Sequence, residues 1–161
     1  MEAHGGKYGA GIGGGSSGNG GLIEISGGSV VAYGGVDAAG IGSGEEGTYE
    51  GGVNGGTINI SGGEVVAWGK DYGAGIGAGD DADAGLITIT GGHVYAQGGT
   101  NSMAICTHDD NAQFTSFTIG DTMMVWWERK FIISERIEAI QNRNWIRIEP
   151  CTHEDAVNRD N

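Results

Sequence analysis

Tyr33 and Trp68 end two copies of one phrase, Val-Val-Ala-Tyr and Val-Val-Ala-Trp, and His4 and Gln97 end the copies on either side. Rings that recur at one position of a repeat can form a flat platform, and the apolar face of a sugar packs well on such a platform. Tyr95 adds a ring two residues before Gln97, and Glu64, with Ser61 and Thr90, adds groups that exchange hydrogen bonds with hydroxyls. Tyr33, Trp68, Tyr95 and Glu64 are therefore the candidate ligand-binding residues. The same side chains also suit strand propensity and cross-strand packing, a reading that asks for no ligand.

Two other groups of residues could do chemistry. Asp80, Asp81 and Asp83 crowd one loop, as Glu45, Glu46 and Glu50 crowd another. Carboxylates at that density are the oxygen ligands calcium takes. They equally make a solvated, repulsive surface, and no loop matches the Gly-Gly-x-Gly-x-Asp calcium repeat. Cys106-Thr107-His108 and Cys151-Thr152-His153 together offer two thiols and two imidazoles, the donor set of a tetrahedral zinc site. Their Cys-x-His spacing differs from the usual two-to-four-residue cysteine spacing, so a disulfide or two free thiols remain open beside zinc.

The elements that must position these residues are legible as a repeat. Ile12, Ile41, Ile76 and Ile105 recur at spacings of 29, 35 and 29 residues, and the doublets starting at Gly27, Gly62 and Gly91 keep step. Periods in this range mark stacked repeats. Each copy holds three short alternating segments, as in Ala38-Ala39-Gly40-Ile41-Gly42, Thr57-Ile58-Asn59-Ile60-Ser61 and Glu64-Val65-Val66-Ala67-Trp68. Strict alternation is strand periodicity. The constant apolar positions face a core and the variable ones face outward.

Three strands per turn with glycine corners predict an all-β fold, a single-stranded right-handed parallel β-helix. About four coils fall near 3–35, 36–70, 71–99 and 100–127. One coil has too few large aliphatic side chains to stand alone, so stacking must close the core. The first strand of each coil carries glycine on its outer side, at Gly9, Gly11 and Gly13 and their equivalents. That bare strip either admits a flat ligand or receives the polar loops of the same coil. Cys106 takes a position in that strip and is expected to be partly accessible.

In the fourth coil Phe117-Thr118-Ile119 still alternates, but the third strand becomes Met123-Met124-Val125-Trp126-Trp127, whose bulk suits a final plugged rung. Residues 128–161 form a predicted capping segment. Ser134 to Asn142 reads as a short helix with Ser134 as N-cap, and Trp145 to Glu149 as a strand ended by Pro150, together covering the open edge. At the other end Met1 to Gly6 aligns with Val30 to Gly35, so the chain opens at the third strand of a coil. The rung of Ala10 and Ile12 would then be exposed, which implies an upstream coil or partner.

With 35 glycines, one proline and 38% hydrophobic residues, the chain has enough patterned apolar content for one narrow core. Its net charge of −13 lacks the basic footprint that nucleic acid or an anionic membrane requires. There is no apolar run of membrane-spanning length and no signal peptide in the sequence.

The pattern GAGIGxG…GxIxIxGGxVxAxGG over residues 3–127 resembles the glycine-rich β-helix repeats of predicted cell-surface proteins of anaerobic gut bacteria. More loosely, it is similar to the carbohydrate-binding β-helix proteins of plant-fibre degraders. The stretch with Arg136, Ala139, Gln141 and Asn142 and the run Ile148 to His153 is similar to the region that follows such repeats. The resemblance implies an extracellular or cell-surface module, a glycan or cell-surface polymer as partner, and neighbouring modules in the same polypeptide. No cofactor is expected, with calcium on the acidic loops as the one possibility.

A polysaccharide-cleaving enzyme is the minor alternative. Lyases need a base beside a calcium-bridged uronate and hydrolases need clustered carboxylates on a strand face. Between Tyr8 and Trp127 the only Lys or Arg is Lys70, and Asp80 and Asp81 fall in a loop. An ice-binding array is spoiled because Glu24/Ser26 and Asn59/Ser61 replace the pair Thr88/Thr90. The sequence thus favours a non-catalytic adhesive or carbohydrate-binding repeat module, with a structural stalk or spacer as its rival.

Overall fold

The computed structural model describes residues 1–46, 52–106, 116–120, 123–127, 130–133 and 144–150. Within them the regular elements are all strands: β1 (Glu2–His4), β2 (Ile12–Gly13), β3 (Leu22–Tyr33), β4 (Ile41–Gly42), β5 (Thr57–Trp68) and β6 (Ile76–Gly77), then β7 (Leu86–Gln97), β8 (Ile105–Cys106), β9 (Ser116–Ile119), β10 (Met123–Trp127), β11 (Lys130–Ile133) and β12 (Trp145–Pro150). The predicted helix at 134–142 lies outside the described residues.

The repeat stacks in parallel register. Ile23 pairs with Ile58 and Ile58 with Ile87, while Ala32, Ala67 and Ala96 form a second column. Ile12, Ile41, Ile76 and Ile105 form a third through the short ladder β2-β4-β6-β8. Apolar residues of one type thus meet their equivalents at the strand spacing, roughly 4.8 Å. Ile41, Ile58, Ile76, Ile87 and Ile89 are buried to 1% exposure or less. Removing each from water contributes about 1.5–3 kcal/mol, and no single repeat closes the cluster.

The expected three strands per coil become two ladders. The second and third segments run as one twelve-residue strand, bent at the glycine doublet where the register shifts by a bulge. Gly28, Gly63 and Gly92 have φ of +79°, +91° and +86°. Glycine enters that region without steric cost, so the chain turns its corner while the ladder continues on both sides.

The glycine strip is covered. Gly40, Gly42, Gly75 and Gly77 are buried: loop residues Gly20 and Gly55 lie against Gly42 and Gly77, which is the second of the two readings of that strip, while Gly40 and Gly75 abut the third-segment backbone at Trp68 and Gln97. A Cβ on Gly55 would lie 2.5 Å from Gly77 O, and one on Gly42 would collide with the same oxygen. The loops stack as well: Gly20 N donates to Asn54 O at 2.9 Å, Gly55 N donates to Asp83 O at 2.7 Å, and Val53, Ala78 and Ala82 form a small second core. At the first level Ala10 is buried and Ile12 half-buried, so that rung is less open than expected.

The far end also departs from expectation. β9 pairs in parallel with Leu86–Ile89, continuing the second segment. The third segment is continued by β12 instead of Met123–Trp127: Trp145 pairs with Gln97, Arg147 with Tyr95 and Ile148 with Val94, all antiparallel. β10 pairs outside β12 and β11 outside β10. Ile146 and Ile148 are fully buried on the apolar columns of Ala96 and Val94. Alternation sets which face a residue takes and is blind to strand direction, so a reversed strand continues the same columns.

Candidate ligand-binding face

Residues alternate with the buried Val/Ala columns along the third segment and point to the opposite face. One outward column runs His4, Tyr33, Trp68, Gln97 and Trp145, and the next runs Glu2, Val31, Val66, Tyr95 and Arg147. The backbone beneath the rings is held firmly. A Cβ on Gly40 would lie 2.7 Å from Trp68 N, so the first segment abuts the end of this strand backbone to backbone.

The rings touch. His4 stacks on Tyr33 with centroids 4.7 Å apart and planes at 10°; Trp68 and Tyr95 are 5.4 Å apart and tilted by 53°; Tyr95 and Trp145 are 6.2 Å apart at 23°. The Tyr95 hydroxyl donates to Gln97 Oε1 at 2.8 Å, and burial pushes its phenol pKa up. His4 Nε2 lies 3.0 Å from Glu2 Oε1 at the exposed end. Tyr33, Trp68, Tyr95 and Trp145 are half-buried, each covered in part by its neighbours.

Beside this ridge lies a shallow groove of about 320 Å³ lined by Glu64, Val66, His93, Tyr95 and Arg147, with Val65 and Val94 beneath. Tyr33, Trp68, Tyr95 and Glu64 thus share one face, and the last two share the groove. His93 and Arg147 were missed. His93 occupies the column of Glu64 one level on, which the alignment of repeats already contained. Arg147 comes from a strand whose place the repeat pattern does not specify.

The acidic candidates do not converge. Asp81 is exposed with φ +58°, and Asp80 N donates to Asp37 O at 2.8 Å. Asp83 bridges instead to Asn54 in another part of the loop stack. Burial, then Asp37, Asp80 and Asp81, hold the Glu45 carboxyl above its ordinary pKa. Among the described residues no three acids, histidines or cysteines lie close enough together to hold a metal ion. Cys106 pairs with Gly77 through its backbone; His108, Cys151 and His153 lie outside the described residues.

A family model described as Beta helix repeat matches residues 23–45, 58–80 and 87–105. These segments hold the three long strands and the glycine strand that follows each, so they form a parallel β-helix repeat region within an all-β fold. No curated protein and no solved structure matches the chain significantly.

Proposed function

We propose that this repeat region is a non-catalytic module that binds glycan on its aromatic face, as part of an extracellular or cell-surface protein. In this reading the repeats are coils of a right-handed parallel β-helix whose other side is closed by its own loops. The observation that carries the proposal is the ridge of Tyr33, Trp68, Tyr95 and Trp145, placed on an outward face next to a groove with a carboxylate, an imidazole and a guanidinium. A sugar would lay its C–H face on the rings and exchange hydrogen bonds with Glu64 and His93. No metal or cofactor enters this account, and calcium would act at most on the acidic loops.

The contact of His4 with Tyr33 favours a second reading, a structural stalk or spacer whose rings pack only on one another. Retention on insoluble cellulose, insoluble xylan and immobilised mucin separates the two. Wild-type retention on one of these, removed by Trp68→Ala without a core-like drop in melting temperature, supports binding. No retention on any, or a core-like loss of stability in Trp68→Ala, leaves the stalk.

A further inference from the structure

At each level of the stack a turn after the third segment directs an N–H to the next level. Gly34 N donates to Trp68 O and Gly69 N to Gln97 O, both at 2.8 Å. At the last level Gly98 N donates to Asn144 O, also at 2.8 Å, so the carbonyl of Asn144 takes the place that Tyr33, Trp68 and Gln97 hold below. The side chain does more. Asn144 Nδ2 donates toward Gly98 O at 3.1 Å, Gly99 O at 2.8 Å and Ser102 O at 3.0 Å. The amide must face this way, since reversing it would set Oδ1 against three carbonyl oxygens.

In the lower turns the carbonyl equivalent to Ser102 O is met by a backbone N–H of the next level: Gly9 O by Gly35 N, Ala38 O by Lys70 N and Gly73 O by Gly99 N. The turn at 98–102 meets a side-chain amide from a distant part of the chain instead. Trp145 and Arg147 follow Asn144 directly and land in the two outward columns, opposite Gln97 and Tyr95. A slip of β12 by one residue would turn both side chains inward and bring Ile146 and Ile148 out.

We infer that Asn144 is the positioning residue of the ligand face: its clamp on the 98–102 turn sets the register of β12 and so completes the aromatic ridge with Trp145 and the groove with Arg147. The inference rests on the glycan reading for its ligand half, while the clamp itself is independent of any ligand.

Asn144→Asp keeps the shape and the backbone carbonyl but removes both donors. At pH 7 its carboxylate would face three carbonyl oxygens. The expected result is a loss of about tenfold or more in hydrogen-exchange protection at Gly98 and at the β7 amides facing β12, with the β5 core amides unchanged. The near-UV circular dichroism of the Tyr95–Trp145 pair should change with it. Protection should return in part at acid pH, where the carboxylic acid donates one hydrogen bond. Thr100, Asn101, Ser102 and Met103 do not titrate; Asp71 and Lys70, whose backbone lies against Gly99 and Asn101, are the titratable residues packed on the turn from the level below, and wild type, which keeps both, serves as the reference at the same pH. Unchanged protection at pH 7, or a loss that acid does not relieve, overturns the clamp.

On whichever of cellulose, xylan or mucin retains wild type, Asn144→Asp and Trp145→Ala should weaken retention by similar factors, and the double variant should lose no more than either. Additive losses would show a general structural role and overturn the positioning. Absence of wild-type retention would overturn the glycan reading, and with it the ligand half, while the exchange result still decides the clamp.

Discussion

The two sides of this repeat share one alternation and end in opposite surfaces. Along the first segment the residue facing away from the core is glycine, and at Gly42 and Gly77 the loops close over it with backbone against backbone. Along the third segment the equivalent residues are Tyr33, Trp68 and Tyr95 on an outward face, where Tyr33 stacks on His4 and Trp68 packs against Tyr95. The difference teaches that outward does not mean solvent. A strand face without side chains is an invitation to a further layer of chain, whereas one with large rings builds its own cover and keeps a surface that a ligand can reach.

The comparison breaks most severely if the inward columns shared by both sides are wrong. Ile58 is fully buried between Ile23 and Ile87, so Ile58→Asp places an unpaired carboxylate in the core and should cost more than about 4 kcal/mol, unfolding the repeat. Asn59→Asp, on the opposite face, should change stability by less than about 0.5 kcal/mol. Circular dichroism reads both, and equal tolerance of the two would mean that the register is misassigned.

The covered glycine side predicts the next largest effect. Gly42 has φ +139°, and a Cβ there would collide with Gly77 O, so Gly42→Ala should cost roughly 2–4 kcal/mol through strain and overpacking together. Gly27 has open space around it, and Gly27→Ala should be close to neutral. Thermal melts of the pair sharpen the contrast; a silent Gly42→Ala would show that β4 and β6 do not approach backbone to backbone at Gly42 and Gly77.

On the aromatic side the expected loss is one of binding. Trp68→Ala should remove most retention on the polysaccharide or mucin that holds wild type, while stability falls by no more than about 1–2 kcal/mol for a half-buried ring. Paired pull-down and melting measurements check it.

The smallest effect belongs to the loops. The Glu45 carboxyl is held above its ordinary pKa by burial first and by Asp37, Asp80 and Asp81 next. The folded state therefore favours the protonated form. The penalty is present in full above the folded pKa and disappears as pH falls below the ordinary carboxylate range. Glu45→Gln should raise stability slightly at neutral pH, by less than about 0.5 kcal/mol once solvent screening of this partly exposed group is allowed for, and make no difference near pH 3. Melting at the two pH values would reveal it, and a destabilised variant at neutral pH would contradict the repulsion.

The sequence by itself determined the period, the inward columns and the outward ridge, because each is a local alternation copied with its neighbours. Ile23, Ile58 and Ile87 lie where their spacing puts them, and so do Tyr33 and Trp68. The outward positions of the candidate residues Tyr95 and Glu64 were legible for the same reason. Only the tertiary structure decided what lies over the glycine strip, since a run of Gly-x-Gly is equally compatible with an open face and a covered one until loops 35 residues apart pack on it. It also decided that β12, arriving antiparallel from far along the chain, takes the last rung and brings Arg147 beside Tyr95. A single reversed strand has no repeat to announce it. Its place is set by Ile146 and Ile148 finding the apolar columns and by Asn144 meeting three carbonyls, and those contacts exist only once the stack is built.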